Sequence, residues 1–182
     1  MVQAEIFSEL QVKHTSFIDY VNSLNETSFN FSHNEKWTAG QQLAHIDLSL
    51  KPLAKVLFFP KFILKRKFGR ANRESKSYQA LKEKYVMKLQ GGGTANTAFR
   101  PEAIKVDQRR KIIEDIERSL ERIYRRAGRY SEADLDFYIL PHPLLGKLTV
   151  REMLYFTIYH VQHHEEITKR NLTEIMKLNS SV

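Results

Sequence analysis

Residues 148–167 read LTVREMLYFTIYHVQHHEEI, and they carry both a helix start and a helix-spaced pair of histidines. Thr149 is placed to cap, Glu152 to return the capping-box bond, and Leu148 to pack on Met153 as a hydrophobic staple. At 100° per residue, Met153, Thr157, His160, His164 and Ile167 fall on one stripe, with Val150, Leu154 and Val161 beside it. His160 and His164 are four apart, so on a helix their Cβ atoms stand about 5–6 Å apart and the two rings can close on one ion. Three of the seven histidines lie in this one segment. A third candidate, His45, lies far upstream on another expected helix, to one side of its Leu43, Ile46, Leu50 and Leu53 stripe. Two histidines from one helix and one from another can build an open metal site inside a helical bundle. The plainer alternative is that these are ordinary buried histidines, each bonded to a nearby carbonyl.

Working outward, helical periodicity recurs in three further segments. Residues 3–24 place Ile6, Leu10, Phe17, Val21 and Leu24 on one face. The second segment begins at Thr38, which forms a capping box with Gln41, and carries Leu43, Ile46, Leu50, Leu53 and Leu57. Pro52 should kink or break it. The third is expected to start near Pro101, follow Ile112, Ile116, Leu120 and Ile123, and stop at Gly128. No alternating run is long enough to suggest a sheet. The expectation is an all-α single domain over residues 1–182: an antiparallel four-helix bundle with one crossover. A long stretch, roughly residues 60–100, separates the second and third helices and should hold a shorter surface helix within residues 75–89. Gln90-Gly91-Gly92-Gly93-Thr94 lacks the lysine of a phosphate-binding loop and reads as a flexible connection.

Composition narrows the chemistry. The 182 residues suffice for one substantial core. There is no cysteine, which removes disulfides, thiolate ligands and a cysteine nucleophile. The N-terminal residues lack a signal-peptide pattern and no apolar run reaches membrane-spanning length, so a cytoplasmic protein without a membrane span is expected. The net charge of +8 is local: residues 51–88 hold twelve Lys and Arg against Glu74 and Glu83, or +10, and the remainder carries −2. Phe58, Phe59, Phe62 and Phe68 are interleaved with that charge. Such a region can attract nucleic acid, an acidic protein or a membrane surface. The favoured reading is instead that Phe58, Phe59 and Phe62 cap one end of the bundle while the lysines keep the segment soluble. No sequence-specific nucleic-acid motif is present.

The chain resembles the DinB-like superfamily of helical-bundle proteins. The resemblance rests on Trp37-Thr38-Ala39-Gly40-Gln41-Gln42-Leu43-Ala44-His45-Ile46, similar to the start of the family's second helix. It rests also on residues 142–152, similar to the family's lead-in to its last helix, and on Tyr159-His160-Val161-Gln162-His163-His164, similar to its H-x-x-x-H near the C-terminus. It implies an up-down-down-up four-helix bundle and a divalent metal, zinc or nickel, held by His45, His160 and His164. It further implies metal-dependent hydrolysis or transfer, in which water or a small external thiol is activated on a small-molecule substrate. A non-catalytic binding bundle with a basic patch for anionic partners is the alternative.

Other residues receive lesser roles. His14, on the apolar face of the first helix, is the reserve ligand. His163, His33 and His142 read as surface or loop residues, with His142 at the pocket's border. His164-Glu165 starts like a zincin motif, but Thr168 stands where its second histidine belongs, so Glu165 and Glu166 read as solvated. A homodimer is expected, partly because Tyr155, Phe156 and Tyr159 spread around more of the last helix than one core face needs.

Overall fold

The computed structural model describes residues 1–32 and 34–179, with side chains through residue 173; His33 lies outside the described residues. The helices are α1 (Gln3–Ser23), α2 (Glu26–Asn30), α3 (Ala39–Val56), α4 (Lys61–Phe68), α5 (Tyr78–Gln90), α6 (Arg109–Ala127), α7 (Glu132–Phe137) and α8 (Val150–Asn179). A hairpin of β1 (Ile139–His142) and β2 (Gly146–Thr149) precedes α8. The long helices pack as pairs, α1 on α8 and α3 on α6, with α3 also meeting α8.

Their inner faces follow the apolar spacing. Ile6, Leu10, Phe17 and Val21 of α1 are fully buried; so are Leu43, Ile46 and Leu50 of α3, Ile116 and Ile123 of α6, and Leu154 and Val161 of α8. Each such side chain contributes roughly 1.5–3 kcal/mol through burial. Both expected capping boxes form. Thr38 accepts from the Gln41 amide while Gln41 Oε1 accepts from the Thr38 amide. Thr149 and Glu152 do the same at the start of α8. Gly40 is needed where it stands: a Cβ there would lie 2.6 Å from Phe29 Cε1, so α2 could not close over the start of α3.

Several expectations need correction. The protein is predominantly helical rather than all-α, because β1 and β2 form an antiparallel pair in the register Ile139↔Thr149 to His142↔Gly146. Each strand is only four residues long, too short to show alternation, and the turn closes at Gly146 with φ +80°. α6 starts at Arg109, not near Pro101. Arg100 offers no capping oxygen, and Ile104 packs against the core instead of entering a helix. Pro52 lies within α3 without ending it.

The residues after α3 also differ from expectation. α4 was not anticipated, and α5 is not a mere surface helix, since Leu81 and Tyr85 are buried and α5 packs on α8. Phe58, Phe59 and Phe62 do not cap the bundle; they are 64%, 40% and 71% exposed. Phe68 alone of the four packs on the core. Tyr155 and Tyr159 are buried within the chain and Phe156 is half-buried. Their rings meet α5 edge-on, Tyr155 against Tyr78 and the other two against Tyr85. Those aromatics therefore leave little surface for a second copy.

Candidate metal centre

His45 comes from the middle of α3, and His160 and His164 from successive turns of α8, where the two helices meet. All three are buried, at 5%, 6% and 6% exposure. His45 Nε2 and His164 Nε2 each stand 3.1 Å from His160 Nε2. The three ligand nitrogens lie within 4.8 Å of one another. Nitrogens held 2.0–2.1 Å from one ion at tetrahedral angles would be about 3.3 Å apart, so the set fits a metal with small adjustment.

The outer ring nitrogens decide the protonation. His45 Nδ1 donates to the Phe99 carbonyl at 2.6 Å, and His164 Nδ1 to the Gln42 side-chain oxygen at 2.5 Å. A neutral imidazole that donates through Nδ1 presents a lone pair at Nε2. Both lone pairs face His160 Nε2. A proton there could satisfy one of them, but the other would remain opposed to a nitrogen without a hydrogen to give. A cation satisfies all three. Holding the outer nitrogens with carbonyl or amide oxygens is also how ligating histidines are oriented.

Burial keeps the rings neutral. It lowers His160 and His164 well below the ordinary imidazole value, and each would be pushed further by charge on its histidine neighbours. Burial lowers His45 as well, with the Phe99 carbonyl working against the shift. Trp37, half-buried, roofs the cluster, with its ring 5.0 Å from His45 and stacked 6.4 Å from His164. Phe156 stacks on His160 at 4.7 Å.

The cluster opens on a cavity of about 1130 Å³, walled by α3, α5, α8, the β1–β2 turn and residues 94–100. That volume suits a small molecule rather than an ion alone. Its wall is largely apolar and, among the described residues, contains no Asp or Glu. A bound divalent ion would therefore keep its full positive charge.

His14 is buried and part of the cavity wall, but it is not within the ligand set. Its Nδ1 donates to the Leu10 carbonyl at 2.8 Å, and burial pulls its pKa down to about 4. His142 is half-buried in β1 rather than solvated, and it lines the cavity. Its Nδ1 accepts from the Leu144 and Leu145 amides, fixing the turn, and burial aided by Lys84 lowers it to about 4. His163 is half-buried at the wall, edge-on to Tyr85 at 5.9 Å. Glu166 is exposed as expected, but Glu165 is buried and accepts from Ser16 and Lys169. Gln42 and the Phe99 carbonyl were missed by sequence reasoning. Gln42 had one signal, its position three residues before His45 on the same helical face; a backbone carbonyl leaves none.

The model of one family, the DinB superfamily, matches residues 9–167. No curated protein matches the chain.

Proposed function

The chain belongs to the DinB superfamily, and we propose that within it the protein is a metal-dependent enzyme. His45, His160 and His164 hold one divalent ion, zinc or nickel, beside a cavity that receives a small-molecule substrate. The observation that carries this reading is the pair of lone pairs on His45 and His164 aimed at His160, fixed by the Phe99 carbonyl and Gln42. Such an ion would supply Lewis acidity that makes a water or a small external thiol more acidic and so more nucleophilic.

The chain's residues orient and enclose. Gln42 and Phe99 hold the ring tautomers, while Trp37 and Phe156 limit water around the cluster. Among the described residues no Asp or Glu borders the cavity to act as a general base, so a bound ion would carry the lowering of the pKa of water or thiol, with the proton passing to solvent. Hydrolysis and thiol transfer are separated by one experiment on cobalt-loaded protein. A new thiolate-to-cobalt absorption band on adding a small thiol supports transfer; visible bands indifferent to thiol but shifting with pH support water activation. A protein that takes up no cobalt would remove the enzyme reading.

The reading carries the up-down-down-up helix order implied by the family, supported by the pairing of α1 with α8 and of α3 with α6. A cytoplasmic location belongs to it as well, and no described helix is long and apolar enough to cross a membrane. Homodimer formation is a separate proposal resting on the family alone, and light scattering tests it.

A further inference from the structure

Where α3 ends, the chain turns through Leu57-Phe58-Phe59-Pro60 into α4. Leu57 is buried and anchors the turn, but the next two rings point away from the core, and Phe62 on the first turn of α4 is 71% exposed. Three large rings within five residues thus stand in water. Isolated exposed apolar residues are ordinary; a contiguous aromatic group on a rigid helical corner marks an interaction site.

The charge around the rings is predominantly positive. Lys55, Lys65, Arg66 and Lys67 are exposed and take part in no ion pair among the described residues. The end of α6 lies at the same corner. The Arg126 guanidinium sits 4.3 Å over the Phe58 ring, and Lys61 Nζ donates to the Arg129 carbonyl at 3.1 Å. Asp134, which meets this group, is already paired with Lys61 at 2.5 Å. Lys65 and Lys67 also lie over the Phe137 and Phe68 rings. Exposed rings on a segment rich in exposed cations combine the two forces that hold a protein at an anionic lipid interface: burial of apolar surface at the acyl boundary and attraction to headgroup phosphates.

We propose that the α3–α4 corner docks the protein on an anionic lipid surface. Phe58, Phe59 and Phe62 enter the interface, while Lys55, Lys65, Arg66, Lys67 and the end of α6 rest on the headgroups. A single-stranded nucleic acid would need a succession of open rings along a basic groove. Here the neighbouring aromatics do not extend the track, since Phe68 is half-buried and Tyr130 is buried. A second copy of this chain would have to bring cations against cations.

The test is co-sedimentation of the full chain with vesicles of phosphatidylcholine alone and of phosphatidylcholine mixed with phosphatidylglycerol. Binding is expected to the mixed vesicles, with weakening as salt rises. The paired substitution Phe58→Ser with Phe62→Ser should weaken binding by about tenfold or more. Reversing charge at Lys65, Arg66 and Lys67 together should weaken it on the order of a hundredfold. Because these side chains are exposed, circular dichroism and metal content should match wild type, which separates lost docking from lost folding. Equal sedimentation of the Phe58/Phe62 variant and wild type overturns the proposal, as does absence of binding to mixed vesicles at low salt. Phe-dependent dimerisation in light scattering, or Phe-dependent oligonucleotide binding tighter than vesicle binding, overturns it too.

Discussion

At the start of α8 the buried Glu152 carboxylate receives Arg73 through two bonds of 2.6 and 2.8 Å, together with the Lys76 and Thr149 amides. Two turns further along the same helix, His160 and His164 are equally buried, yet their inner nitrogens face only each other and His45. Burial alone would raise the Glu152 carboxyl, but Arg73 and the two amides hold it below its usual value. At the histidines burial also dominates, and it lowers the rings with no partner to restore charge. The first arrangement is saturated and serves the fold, pinning residues 73–76 onto the hairpin and α8. The second leaves three inner nitrogens turned on one another without a hydrogen for each, and that incompleteness is why we propose it as a metal site.

If this contrast is right, breaking the saturated end should cost stability most. Glu152→Ala strands the Thr149 and Lys76 amides and removes the partner of Arg73, so a loss of about 3 kcal/mol is expected in urea unfolding. A loss under about 1 kcal/mol would show that the network contributes little. Metal uptake by the variant that still folds should be unchanged.

A second effect comes from acid. His14 is buried and lowered to about 4 against an ordinary 6.5, so protons favour the unfolded chain. Its contribution is intact above pH 6.5 and is lost progressively as pH falls toward 4. Metal-free protein should lose roughly 2.5 kcal/mol from this group over that window. Burial lowers the other cavity histidines too, so they add slope of the same sign. Replacing His14 with Leu should flatten part of the pH dependence; an identical slope would show that His14 does not titrate as described.

The smallest effect tests orientation. Gln42→Ala leaves the three ligands in place but frees His164 to turn, and should weaken metal affinity by about 10–100-fold. Competition with a chromophoric chelator measures this, and unaltered affinity would deny Gln42 its orienting role.

What the sequence revealed follows the range of each interaction. The capping boxes at Thr38 and Thr149 and the His160–His164 pair involve neighbours within one turn, so spacing alone exposed them. The stripes of α1, α3, α6 and α8 were legible for the same reason. The hairpin escaped because four residues per strand show no period, and Arg73 could not be matched to Glu152 across 79 positions. The exposure of Phe58, Phe59 and Phe62 was misread because hydrophobicity signals burial only when something is there to cover it. Of the three histidines that come together, His160 and His164 were legible from their spacing and His45 from the family resemblance, whereas the groups bonded to their outer nitrogens largely were not, since a carbonyl from Phe99 carries no side-chain signature.

The most direct test of the central claim is metal stoichiometry of untagged protein after exposure to zinc or nickel, read by elemental analysis. Wild type is expected to hold one ion per chain, with most affinity lost in His45→Ala, His160→Ala and His164→Ala and little in His163→Ala. Equal metal in all five proteins, or none in any, would contradict the account.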